Sequence, residues 1–126
     1  MRWIVDGMNV IGSRPDGWWK DRGRAMETLV ERLDRWASDQ GDTVTVVFER
    51  PPSTAITSSV IEIAHAPRAA ANSADDEIVR LVQADAKPHE IRVVTSDNAL
   101  TNRVRSLGAS VFSAVSFRDL IDPRGQ

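Results

Sequence analysis

The sequence predicts an α/β fold, a three-layer α/β/α sandwich around a mainly parallel sheet, and three patterns carry that prediction. Short β-branched or apolar runs (Trp3-Ile4-Val5, Val44 to Phe48, Ile91 to Thr95) alternate with stretches whose apolar residues recur at three-to-four spacing. Strands separated by whole helices pair in parallel through right-handed crossovers. Acids stand where elements meet: Asp6 ends the first run, Asp75 and Asp76 open a helical segment, and Asp97 follows Ile91 to Ser96. Open α/β sheets place ligands at the carboxyl edge of their strands, where Asp6 and Asp97 would emerge together if their strands are neighbours.

Residues 2–6 read as a buried strand, followed by a Gly-, Pro- and Trp-rich loop from Gly7 to about Arg22. Met26, Leu29, Val30, Leu33, Trp36 and Ala37 give Gly23 to Gln40 one apolar helical face, and Gly41 is placed to stop it. Val44 to Phe48 is the second strand, closed by Glu49-Arg50-Pro51-Pro52. Pro51 to Ser59 reads as a loop and Val60 to Ala64 as a short strand. A helix starts at Ser73, carries Ile78, Leu81 and Val82 on one stripe, and ends near Ala86 before Lys87-Pro88. Ile91 to Thr95 is the next strand, Asn98 to Leu107 the next helix with Gly108 as its C-cap, and Ser110 to Phe112 the last strand. A frayed tail is expected from about Asp122.

A chain of 126 residues supports one core more readily than two, so a single domain over 1–126 is expected. The absence of cysteine excludes disulfides, a thiolate nucleophile and cysteine-held zinc. The N-terminal apolar stretch is broken by Asp6 and Asn9 and is too short for a signal-peptide core or a membrane span, which makes a cytoplasmic protein without membrane contact the expectation. A formal charge of -2 provides no global attraction to nucleic acid, so such binding would need a local patch and metal ions.

Each acid has an ordinary structural explanation. Asp6-Gly7 is common turn chemistry, and Asn9 either supplies an oxygen ligand or ties the loop to its own backbone. Ser73-Ala74-Asp75-Asp76 is an N-terminal helix signature in which the acids complement the dipole. Asp97 would cap the following helix, with Ser96 competing for that place. Helical rotation separates the pair: at about 100° per residue Asp75 lies about 60° from Ile78, whereas Asp76 lies about 160° away, so Asp75 is the better ligand.

Gathered at one edge, the acids need a cation, because like charges about 4 Å apart repel by about 4 kcal/mol at an effective dielectric of about 20. Hard oxygen donors favour Mg²⁺ or Mn²⁺ over zinc or copper. His65 closes a strand and His89 sits in a Pro-containing loop, so both read as structural or solvated. A metal with open positions activates water and polarises phosphate, the chemistry of phosphodiester hydrolysis.

Ile4-Val5-Asp6-Gly7-Met8-Asn9-Val10-Ile11-Gly12, Ser73-Ala74-Asp75 before a helix, and Val94-Thr95-Ser96-Asp97 together resemble the NYN domains of the YacP-like branch of the PIN-like nucleases. The likeness runs from Arg2 to about Leu120. It implies a metal-dependent ribonuclease with Asp6, Asp75 and Asp97 as catalytic metal ligands, and the expected substrate is single-stranded RNA or the tails of structured RNA. Asn9 and Ser96 would support them. Relatives often carry a double acid at the place of Asp75-Asp76, which gives Asp76 a second-metal role, and an acid at the place of Glu49.

Arg14, Lys20, Arg22 and Arg24 surround Trp18-Trp19, combining charges for phosphates with faces for base stacking. Packing against the core or an oligomer interface is the alternative for the tryptophans. Homo-oligomerisation, or a ribosome or other RNA-processing partner, is compatible with this picture.

Competing functions are a non-catalytic RNA- or protein-binding domain of the same fold and a toxin-type PIN ribonuclease. Receiver and haloacid-dehalogenase-like domains also gather aspartates, but Lys20 and Lys87, the only lysines, are not at the strand end those sites use. Nor does G-x-x-x-x-G-K-[ST] occur, which excludes a P-loop NTPase.

Overall fold

The computed structural model describes residues 1–52, 54–67 and 73–122. The chain runs β1 (Arg2–Asp6), α1 (Gly7–Ile11), α2 (Arg22–Gln40), β2 (Thr43–Phe48), β3 (Glu62–His65), α3 (Ser73–Ala84), β4 (Ile91–Val94), α4 (Asn98–Ser106), β5 (Ser110–Phe112) and α5 (Ala114–Ile121). Short 3-10 turns occupy Trp18–Lys20 and Pro88–Glu90.

The five strands are all parallel, in the order β3-β2-β1-β4-β5. Val5 pairs with Val46 on one side and Val94 on the other, so β1 is central. The chain builds outward from β1 through β2 and β3, then crosses to β4. The switch in direction therefore falls between β1 and β4, the place where such sheets open a crevice.

Alternation along the strands supplies both faces. Trp3 and Val5 join a core with α1, α2 and α5, while Ile4 between them joins a second core with α3 and α4. This is the predicted three-layer sandwich. On the first face Trp3 meets Trp36 edge-on at 5.0 Å between ring centroids and Phe117 at 5.6 Å. Such aromatic pairs contribute about 0.5–1.5 kcal/mol each beyond the burial of their area. The six apolar α2 positions named above are all buried. Asp21 accepts the Arg24 N–H at 3.1 Å to start α2, and Gly41 ends it with φ 74°, a left-handed value natural to glycine.

Several expectations change. The stretch from Gly7 to Arg22 is not all loop: it holds α1 and a 3-10 turn, because Val10 and Ile11 bury themselves against the α2 and α5 face. The third strand starts at Glu62 instead of Val60, since the Ser58 hydroxyl accepts the N–H groups of Val60 and Ile61 and holds them in a bend. α3 stops at Ala84, two residues short of Ala86, and β4 at Val94, one short of Thr95. α4 stops at Ser106, with Leu107 taking the C-cap place expected of Gly108.

α5 was not anticipated. Ser113 caps it by accepting the Ser116 N–H, and Ala114, Phe117 and Ile121 bury one face. Asp122, expected at the start of a frayed tail, is ordered as the C-cap of α5 with its carboxylate ion-paired to Arg14. The rest of that expected tail, 123–126, lies outside the described residues. Among the described residues no helix is long and apolar enough to cross a membrane.

Candidate active site at the carboxyl edge of the sheet

β1 delivers Asp6 to the switch point, where the side chain is almost wholly buried at 6% exposure. Gly7 follows because nothing larger fits: a Cβ there would lie 2.6 Å from the Phe48 ring. The chain can then turn directly into α1 and return Asn9 to the same edge.

Across the β1–β4 boundary the Thr95 hydroxyl donates to Asp6 Oδ2 at 2.9 Å and accepts the Asp97 N–H at 3.1 Å. One hydroxyl thus couples the two strand-end acids. Asp97 caps α4, accepting the Leu100 N–H at 2.8 Å. Asn9 Oδ1 accepts the Ser96 N–H at 2.8 Å, and Ser96 Oγ accepts the Ala114 N–H at 2.9 Å, so α1, the turn after β4 and α5 are laced together.

Asp75 enters from the first turn of α3. Asp6, Met8, Asn9, Glu49, Ala74, Asp75 and Asp97 line one open cleft of about 220 Å³. The crowding of negative charge is visible in the acids themselves. Burial, with the charges of Asp75 and Asp97, pushes the Asp6 carboxyl up to about 7 against the favourable Thr95 hydrogen bond. Partial burial, then the Asp97 charge, raises Asp75, opposed by Arg103. Among the described residues no three His, Cys, Asp or Glu side chains are drawn together tightly enough to enclose a metal ion directly.

Of the remaining sequence candidates, Glu49 lines the cleft and the others lie elsewhere. Asp76 is outside the cleft, exposed and paired with Arg103 at 2.9 Å. Glu49 reaches the cleft wall from the end of β2, and its backbone carbonyl accepts the Ser73 hydroxyl at 3.4 Å. Arg14 is ion-paired with Asp119 and Asp122 and binds the first loop to α5. Trp18 is half-buried against the core, with the Arg22 guanidinium 4.9 Å over its ring, while Trp19 is 50% exposed and Lys20 is exposed. None of Arg14, Trp18, Trp19, Lys20 or Arg22 lines the acidic cleft. His65 and His89 are also away from it; His65 Nδ1 lies 3.0 Å from the Ala66 carbonyl oxygen.

Thr95 was missed as a site residue. Its signal was faint: one hydroxyl at the end of an otherwise apolar strand, two residues before Asp97. Met8, between Gly7 and Asn9, was missed for the opposite reason, since an apolar residue reads as core and only the fold shows it in the cleft wall.

A parallel five-stranded sheet with carboxylates collected at its central switch point defines an α/β domain of the PIN-like class, whose members are typically nucleases. The chain belongs to the YacP-like NYN domain family, whose model matches residues 3–125. The crystal structure of Rae1 (YacP) from Bacillus subtilis is 26% identical, with a TM-score of 0.78 over 98% of this chain and 76% of that one. A tryptophan-to-leucine mutant of the same Bacillus protein superposes with a TM-score of 0.76, again at 26% identity, over 98% of this chain and 77% of that one. No curated protein matches the chain significantly.

Proposed function

We propose that the domain is a Mg²⁺- or Mn²⁺-dependent ribonuclease that hydrolyses phosphodiester bonds in single-stranded RNA or single-stranded tails, in the cytoplasm. The observation that carries this is the arrival of Asp6, Asp75 and Asp97 from three elements in one solvent-open cleft. Family membership supports the nuclease class.

The cleft suits a hard divalent ion that keeps several waters. Its charged donors are carboxylates only, and repulsion among them leaves Asp6 and Asp75 short of positive charge. Mg²⁺ is typically held by one or two carboxylates with water completing its shell, which agrees with acids that share a cleft without closing on a point. Asp6, Asp75 and Asp97 would hold it, with Glu49 at the wall and Asp76 outside for any second ion. When bound, the ion supplies an acidified water and positive charge for phosphate oxygens.

The chain's own residues do the positioning. Thr95 orients Asp6, and the Asn9–Ser96 bond fixes the loop that presents Asp97. Net hydrolysis forms a bond from water oxygen to phosphorus and breaks one P–O ester bond, leaving a phosphate monoester and a hydroxyl. The test is cleavage of single-stranded RNA with Mn²⁺ or Mg²⁺ and with EDTA. Metal-dependent cleavage lost in Asp6→Asn and Asp97→Asn is expected; cleavage that survives both chelation and these substitutions would contradict the proposal.

A further inference from the structure

Beside the acidic cleft lies a larger groove of about 490 Å³, between the start of α2 and the segment after β2. The two cavities share Met8 and Glu49 as a common wall. Its lining includes the apolar residues Met8, Met26, Phe48 and Pro51 and carries Arg22 and Arg50. Its volume falls in the ordinary range for small-molecule sites, about 300–1,000 Å³.

The two arginines differ from their neighbours. Arg118 donates to the Val10 and Ile11 carbonyls and pairs with Asp16, and Arg32 lies 4.0 Å from Asp122. Those guanidiniums are committed to holding the fold. Arg22 and Arg50 form no ion pair among the described residues. The Arg22 guanidinium lies 4.9 Å from the centre of the Trp18 ring, a cation–π contact that steadies it beside the groove without using an acidic partner.

We infer that this groove is a substrate subsite, taking the nucleotide adjacent to the scissile phosphate of a single RNA strand, with its base against the apolar lining of Met8, Pro51 and Pro52 and its phosphate between Arg22 and Arg50. This rests on the ribonuclease reading and deepens it. The acidic cleft repels a phosphodiester unless a cation intervenes, so an anionic strand needs fixed positive charge close by. The groove supplies that charge in continuity with the cleft. The apolar side chains among the described lining residues suit a base held by contact, while the arginines take the phosphate.

The test measures hexauridylate binding by anisotropy in EDTA, where chemistry is off, across a salt series, together with KM for cleavage in Mn²⁺. Arg50→Ala and Arg22→Ala are each expected to weaken binding or raise KM about tenfold and to lower the salt slope by about 0.7, the signature of one lost phosphate contact on a single strand. Arg50→Lys restores the slope, and Arg105→Ala on the exposed end of α4 binds as wild type does. A wild-type protein that binds or cleaves RNA while Arg50→Ala retains its affinity, KM and slope overturns the subsite and leaves the ribonuclease reading standing. A wild-type protein that neither binds nor cleaves RNA overturns both.

Discussion

The Thr95 hydroxyl stands between Asp6 and Asp97, donating to the Asp6 carboxylate at 2.9 Å and accepting the Asp97 N–H at 3.1 Å. Because it accepts from a backbone amide, its own proton is directed to Asp6. The strand-end acids are thus coupled through a buried hydroxyl before any ligand arrives.

Thr95→Val keeps the shape and removes that link. It leaves the Asp97 amide and the buried Asp6 carboxyl each short of a partner, so a loss of about 1–3 kcal/mol in urea unfolding is expected. Thr95→Ser should recover most of it. Equal stability of the valine variant and wild type would show that the hydroxyl contributes nothing.

Asp6 also sets a pH dependence in the metal-free protein. Its carboxyl is raised from 3.8 to about 7 in the fold, so the native state holds a proton that the unfolded chain releases. Stability from this group is complete below about pH 4 and is lost as pH rises through about 7, by about 4 kcal/mol in all. Asp75 is raised too and acts with the same sign. Glu77 and Asp85 are lowered and act only in acid, below their ordinary range, so they do not mask the slope. Asp6→Asn should flatten the decline between pH 5 and 7 in denaturant midpoints, at constant ionic strength. An unchanged slope would remove Asp6 as its source.

Asp75 and Asp76 are neighbours in sequence with different surroundings. Asp75 lines the cleft, while Asp76 is paired with Arg103 outside it. In calorimetric titration with Mn²⁺, Asp75→Asn is expected to weaken binding about tenfold or more, the scale of losing one charged partner, and Asp76→Asn to change it little. Equal or reversed effects would refute this ranking.

The layer architecture and the parallel sheet were legible in the sequence because the β-branched runs of β1, β2 and β4 and the apolar stripe of α2 are strong, regular signals. α1 was hidden by its own chemistry: Asp6-Gly7 and Asn9 read as a turn, and five residues are too few for periodicity to register. α5 was hidden by Arg118, a buried cation on an otherwise apolar face whose carbonyl partners, Val10 and Ile11, lie more than 100 residues away. Missing α5 also misread Arg14, whose charge looked available for phosphate until Asp119 and Asp122 were in place beside it. Local pattern carries strands and helix faces, whereas the partners of single charges depend on the tertiary fold.

Whether Asp6, Asp75 and Asp97 form one metal site is settled most directly by diffraction at the manganese edge from crystals soaked in millimolar Mn²⁺. An anomalous peak is predicted in the cleft between these three carboxylates, bonded to one or two of them and bridged by water to the rest. Metal-dependent RNA cleavage in solution together with an empty cleft, or a peak held by other residues, would contradict the account.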